Sequence, residues 1–209
     1  MIDEKIPPES IRPPHLIDKL KKEDSEIKKG IKWKEIFKEI PSIALILLAV
    51  IGFRIYVAEP YLVDGRSMDP TFHTRDYLIV DKISSKAKRP ERNAVVVFNA
   101  ANAGQPKRSF IKRIIGLPGE TVIVKGNTVK IISSENPDGF MLEQPYVTHQ
   151  STQDIEKTLG ENQYFVMGDN RKDSYDSRYW GALDQKYILG RPIIQLFPIS
   201  KIGLSPGNN

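Results

Sequence analysis

Two residues of this chain could together hydrolyse an amide. Ser67 lies in GRSMDPTF (65–72) and Lys112 in SFIKRII (109–115). A serine hydroxyl is a poor nucleophile until a base takes its proton. The usual base is histidine. His73 follows six positions later and His149 lies in a polar stretch, neither in a recognisable triad context. The other base is a neutral lysine. Free lysine has a pKa of about 10.4, so roughly one in 2,500 is neutral at pH 7. To work there its pKa must fall by about two or three units, which burial among apolar groups can achieve. If SFIKRII is a strand, Lys112 shares a face with Phe110 and Ile114, and Arg113 points to the other face. Arg113 is no base, since its pKa exceeds about 12. The residues alone also admit a plainer reading, in which Ser67 is a turn residue and Lys112 and Arg113 are solvated strand charges.

A third stretch, MGDNRKDSYDSRYWG (167–181), crowds Asp169, Asn170, Arg171, Ser174, Asp176, Ser177 and Arg178 into ten positions. Such density allows a hydrogen-bond network that satisfies itself and holds neighbouring side chains in place. Tyr179 and Trp180 close the loop with an apolar anchor, which a merely hydrophilic surface loop would lack.

These residues need a scaffold. The chain has 209 residues, net charge +5 and a pI of about 9.2. Residues 1–35 are charged and proline-containing and read as a cytoplasmic tail. The uncharged run Ile40–Phe53 is shorter than the roughly 20 residues that span a bilayer. Snorkelling of Lys38 and Arg54 extends it to a transmembrane helix over 36–58, a buried core helix being the alternative. Lys28, Lys29, Lys32, Lys34 and Lys38 lie on its N-terminal side, which the positive-inside rule assigns to the cytoplasm. The remainder, 59–204, is then extracytoplasmic and large enough for a real core. DYLIVDK, NAVVVF, SFIKRII, TVIVK, NTVKII and QYFVM are short β-branched or aromatic runs, and Gly126-Asn127 joins two of them as a hairpin. The fold class is therefore mainly β, an antiparallel catalytic domain preceded by one helix. Residues 136–160 read as an insertion or long loop with a helical window near Asp154–Leu159. Residues 205–209 read as a disordered tail.

The basic charge suits anionic lipid headgroups, and no nucleic-acid signature accompanies it. There is no cysteine, and the three histidines show no ligand spacing, so no metal and no cofactor is expected.

In order along the chain, AEPYLVDGRSMDPTF, RDYLIVDK, FIKRIIGLPGE and MGDNRKDSYDSRYWG resemble the blocks of the type I signal peptidases, the bacterial leader peptidases. The resemblance covers the apolar helix and almost all that follows. It implies a membrane-bound endopeptidase that removes signal peptides from secretory preproteins, with membrane lipid as its other partner. It implies Ser67 as nucleophile, Lys112 as general base and Ser174 as the group that orients the lysine amine. Asp169 would pair with Arg113, and Asp176 with Arg178, as structural support. Tyr61, Val63, Met68, Phe72, Leu78, Phe110 and Ile111 would line pockets for small side chains, as in Ala-X-Ala-like sites. The Ser67 N–H would be one oxyanion donor. Some members carry a serine two positions before the nucleophile as the second donor, where this chain has Gly65, so Gly65→Ser is expected to be tolerated. A nucleophile about ten residues from a membrane helix would meet a cleavage site where it leaves the bilayer, a local rather than a bimolecular search.

Two rivals remain at this point: a membrane-tethered β-domain that binds without catalysis, and a self-cleaving Ser/Lys repressor domain. The first has no use for a lysine inside an apolar strand. The second carries a DNA-binding N-terminus, where this chain carries an apolar helix.

Overall fold

The computed structural model describes residues 14–30, 33–83, 88–148 and 153–207, in two compact units, Met1–Ile51 and Gly52–Asn209. The first unit holds α1 (Pro14–Gly30) and most of α2 (Trp33–Tyr56). Lys38, Glu39 and Arg54 bound the uncharged run of α2. Among the described residues no helix is long and apolar enough to cross a membrane, so the expected span 36–58 does not stand on the helix alone.

The second unit is mainly antiparallel β. The six apolar runs picked out in the sequence are β2 (Tyr77–Asp81), β3 (Val95–Asn99), β4 (Ser109–Gly116), β5 (Thr121–Lys125), β6 (Thr128–Ile132) and β9 (Gln163–Met167). They are joined by β1 (Ala58–Leu62), β7 (Phe140–Met141), β8 (Ile155–Thr158), β10 (Leu183–Asp184), β11 (Ile188–Phe197) and β12 (Gly203–Leu204). The larger sheet has the order β1-β2-β11-β3-β4-β9-β10, with β12 on β11. The smaller is β7-β6-β5-β8, built on the expected hairpin.

Two expectations change. Residues 136–160 supply the outer strands β7 and β8 of the smaller sheet, and the supposed helix near Asp154–Leu159 is β8, whose alternate residues Ile155 and Lys157 turn inward. Ser205–Gly207 are held rather than loose, with the Ser205 N–H donating to Ile193 O at 2.7 Å. Asn208 and Asn209 lie outside the described residues.

Packing explains why β4 can carry the chemistry. It lies between β3 and β9, with Lys112 paired to Val96 and Arg113 paired to both Val95 and Met167. Around it lie three apolar clusters. Val96, Phe98, Ile114, Tyr164 and Val166 form one, with Phe110 and Trp180 against it. Ile115, Val122, Val124, Val129, Ile131, Phe165 and Met167 form a second between the sheets. Val63, Met68, Phe72, Leu78 and Val95 form the third, beneath the loop that carries Ser67. A strand enclosed in this way can hold a lysine away from water.

Candidate active site

Ser67 sits in the loop between β1 and β2. Its neck is closed by Val63 N–H to Asp76 O and Arg75 N–H to Val63 O, both 2.9 Å. Met68 and Phe72, 1% and 0% exposed, plug the loop into the core. Lys112 reaches it from β4, with Nζ 2.7 Å from Ser67 Oγ and 2.8 Å from Ile111 O. The ammonium position lies 5.3 Å from the centroid of the Phe110 ring, and the residue is only 4% exposed. Burial lowers its pKa from 10.5 to about 8; Asp176 and Asp169 oppose this and Arg178 adds to it. Desolvation outweighs the nearby carboxylates, which is the condition a lysine base requires.

The 168–178 loop grips Ser67 by its backbone. Asn170 N–H donates to Ser67 O at 3.1 Å, and Asn170 Nδ2 donates to Arg66 O at 3.1 Å. Gly168 is part of the same closure. A Cβ there would lie 2.3 Å from Ser67 O and 2.3 Å from Ser174 Oγ, so no other residue fits without moving one of them. Asp176, fully buried, accepts from Gly168 N–H (3.0 Å), Ser174 Oγ (2.6 Å) and Arg178 Nε and Nη2 (2.8 Å each). It also caps the short helix α3 (Ser177–Trp180). Arg113 forks onto Asp169 through Nε (2.9 Å) and Nη2 (2.7 Å), and Thr71 of the Ser67 loop donates to the same carboxylate at 2.5 Å.

The site residues expected from sequence are thus largely brought together, with three differences. Ser174 makes no hydrogen bond to Lys112. Its hydroxyl donates to Asp176, and the lysine's second bond goes to the Ile111 carbonyl instead. Met68 and Phe72 belong to the core under the loop and do not line the cleft. The open cleft of about 340 Å³ beside Ser67 is lined by Tyr61, Val63, Leu78, Phe110 and Ile111, as expected, and also by Leu62, Val97, Arg108, Asp173 and Tyr175. Thr71, Gly168 and Tyr146, whose ring lies 4.0 Å from Arg113 Cζ, were not legible as site residues. Only the Pro-Thr and Met-Gly of the quoted blocks hint at the first two.

Third, Gly65 has φ +101° with open space around its Cα. A serine fits sterically but must adopt a backbone conformation that costs an L-residue about 1–2 kcal/mol. The expected tolerance therefore reverses. Gly65→Ser should lower the melting temperature and reduce turnover, and a variant at least as stable and active as the parent would show that its hydroxyl outweighs the strain.

His73 makes its contacts with groups other than Ser67. Its Nδ1 lies 3.0 Å from Lys201 Nζ, and its Nε2 faces Asp69 at 3.9 Å. His149 lies outside the described residues. Among the described residues no cluster of three or more His, Asp or Glu could hold a metal ion. A buried lysine lies against a loop serine, beside an apolar cleft, an arrangement whose chemistry allows nucleophilic attack by the serine.

Comparison with known proteins gives the family. The family model for signal peptidase, peptidase S26, matches residues 34–197. A probable signal peptidase I-2 of Synechocystis sp. is 38% identical over 176 residues, 82% of this chain and 77% of the relative. A signal peptidase I of Leptolyngbya laminosa is 36% identical over 190 residues, 87% of this chain and 85% of the relative. A crystal structure of a signal peptidase I from Enterococcus faecalis V583 is 31% identical and covers 50% of this chain and 97% of its own, at a TM-score of 0.40. The chain belongs to the signal peptidase family, peptidase S26, and is by that membership an enzyme, a serine peptidase of the hydrolase class. The inert binding module falls with that result.

Proposed function

We propose that this protein is a membrane-anchored endopeptidase that removes signal peptides from secretory preproteins, with Ser67 as nucleophile and Lys112 as general base. The observation that carries the reading is the 2.7 Å contact between Lys112 Nζ and Ser67 Oγ in a site that lowers the lysine pKa to about 8. A neutral amine has one lone pair and two N–H groups. One N–H donates to Ile111 O, and the lone pair accepts the Ser67 hydroxyl proton as Oγ attacks the scissile carbonyl. The resulting ammonium returns that proton to the leaving amine, and the acyl-enzyme remains. Lys112 then takes a proton from the water that hydrolyses the ester and gives it back to Ser67. Among the described residues the Ser67 N–H donates to no protein group, so it is available to the oxyanion. Ser174, Asp176 and Arg178, with Asp169 and Arg113, act as positioning groups. The apolar walls from Val63, Leu78, Phe110 and Ile111 favour small side chains before the cut.

The anchor is α2, which ends at Tyr56; Ala58, the last residue of the expected span, already belongs to β1. Its support is surface chemistry: Ile43, Leu45, Ile46, Leu47, Leu48, Val50 and Ile51 are all more than half exposed, so α2 presents apolar side chains on every side. The uncharged run Ile40–Phe53 is shorter than a hydrocarbon core of about 30 Å requires, and snorkelling of Lys38 and Arg54 would extend it. On the peptidase unit Phe197, Ile199, Ile202 and Leu204 are also exposed. The lysines before α2 set the tail in the cytoplasm and the peptidase unit outside.

The test is a preprotein cleavage assay on the purified full chain in detergent, with Ser67→Ala beside it, and a spheroplast protease-protection experiment. Ser67→Ala should lose at least about 10³-fold in rate, and external protease should remove the peptidase unit while sparing the tail. Cleavage by the alanine variant, or the opposite protection pattern, would refute the corresponding half of the proposal.

A further inference from the structure

Arg113 follows Lys112 on β4 and turns to the opposite face, where it is 2% exposed. A guanidinium has five N–H donors and cannot lose its charge. Three point at the nucleophile side: Nε and Nη2 hold Asp169, and Nη2 also lies 3.3 Å from Thr71 Oγ1. The two on Nη1 go to backbone carbonyls, Asn93 O at 2.7 Å and Gly207 O at 2.6 Å. The last donor is therefore filled from 94 positions away, by a segment outside every strand and helix.

That segment is built to reach. Ser205 is tied to β11 through Ile193 O. Gly207 has φ +82°, and a Cβ on it would lie 3.0 Å from both Phe72 Cε2 and Val95 Cγ2. Only glycine brings its carbonyl over Arg113 at that angle and at that distance. Phe72 belongs to the nucleophile loop, and Val95 is the β3 partner of Arg113. The segment thus touches, through one guanidinium and one ring, the strand that carries Lys112 and the loop that carries Ser67.

We propose that Ser205–Gly207 is a positioning strap for the reaction, in which the Gly207 carbonyl fixes Arg113, and Arg113 fixes Asp169, Thr71 and so the distance between Ser67 and Lys112. The proposal rests on the Ser/Lys reading given above. Without the strap one buried cationic N–H has no acceptor, and the guanidinium moves to find one. Small displacements of reacting groups cost rate more than binding. No residue of the strap lines the cleft beside Ser67, so substrate affinity should hold.

The experiment compares preprotein cleavage by five forms of the full chain in detergent micelles, well below the melting temperature of each: the parent, Ser67→Ala, Gly207→Val, a stop after Leu204 and a stop after Gly207. The stop after Leu204 and Gly207→Val should each lower kcat by about tenfold or more and leave KM within about twofold of the parent. The stop after Gly207 keeps an acceptor there, now an oxygen of the terminal carboxylate, which a guanidinium donates to at least as well, and should match the parent within about twofold. Parental kcat in either of the first two overturns the strap, and so does an equal loss in the stop after Gly207. A rise in KM at unchanged kcat overturns it as well, since that is binding rather than positioning. If the shorter chain fails to fold, Gly207→Val decides by the same criteria. Ser67→Ala separates the two ideas: its cleavage of preprotein would remove the dyad, whereas its inactivity beside an active strap variant removes only the strap.

Discussion

Lys112→Arg should cut the rate of preprotein hydrolysis by about 10²–10⁴-fold, the range a positioned general base contributes. Arginine keeps the length and charge but cannot surrender its proton near neutral pH. Lys112→Met should be equally inactive. The parent's rate should rise with pH on the acid side with an apparent pKa of about 8, because burial holds Lys112 below its ordinary 10.5. Asp176 and Asp169 pull the other way, and Arg178 assists the burial, so this single titration reports the balance of all four. The stability sign follows. A lysine whose folded pKa lies below its unfolded one binds its proton more weakly in the native state. Its penalty is fully present below about pH 8 and fades as pH rises to about 10.5. At about 1.4 kcal/mol per unit the penalty at pH 7 is about 3 kcal/mol. Lys112→Met removes it, so the inactive variant should be at least as stable as the parent at pH 7, with the advantage shrinking towards pH 10. Parental activity in the arginine variant, or an acid limb near pH 10, would remove Lys112 from the role of base.

What could be read from the sequence was what repeats at short range. Period-two apolar runs marked β2 to β6 and β9, and Phe110 and Ile114 made a buried Lys112 one of two readings the strand allowed, the other being a solvated charge. The strands that escaped did so for stated reasons. β1 contains Pro60 and is the sheet edge, where a missing donor costs nothing. β11 contains Pro192, accommodated where its pairing with β2 shifts register between Pro192 and Ile194. β8 is a polar strand at the border of the smaller sheet, so its alternation is weak and resembles a loop or a turn of helix. The site's long-range bonds left no local trace. Ser67 and Lys112 are 45 positions apart, and Arg113 meets Gly207 across 94. Ser174 is instructive in the opposite sense. Its place in the 167–181 block was legible, but its partner was not: its one proton goes to Asp176 two residues on, and the lysine amine donates to Ser67 and to the Ile111 carbonyl instead.

Asp176→Ala should be the most damaging substitution to the fold of the site. The carboxylate is fully buried and is the common acceptor for Gly168 N–H, Ser174 Oγ, and the backbone N–H and guanidinium of Arg178. Arg178 itself is 3% exposed and would keep only the Arg171 and Ser174 carbonyls as partners. Removing one member of a buried ion pair leaves an uncompensated charge and costs about 3–5 kcal/mol. The loss should spread to function, since Gly168 and Asn170 hold the backbone of Ser67 from this loop. Asp176→Asn separates fold from chemistry. It keeps the shape and one acceptor oxygen, so it should cost less, about 1–3 kcal/mol, and leave protein to assay. It also deletes the carboxylate that most strongly favours the charged form of Lys112. The acid limb of its rate profile should therefore move below the parent's, while the maximal rate falls because the loop is less firmly held. Denaturant melts of both variants and one pH–rate series on the asparagine form measure this. An alanine variant with parental stability would mean that the loop does not depend on this pair. An acid limb displaced upward in Asp176→Asn would mean that the carboxylate does not act on the base.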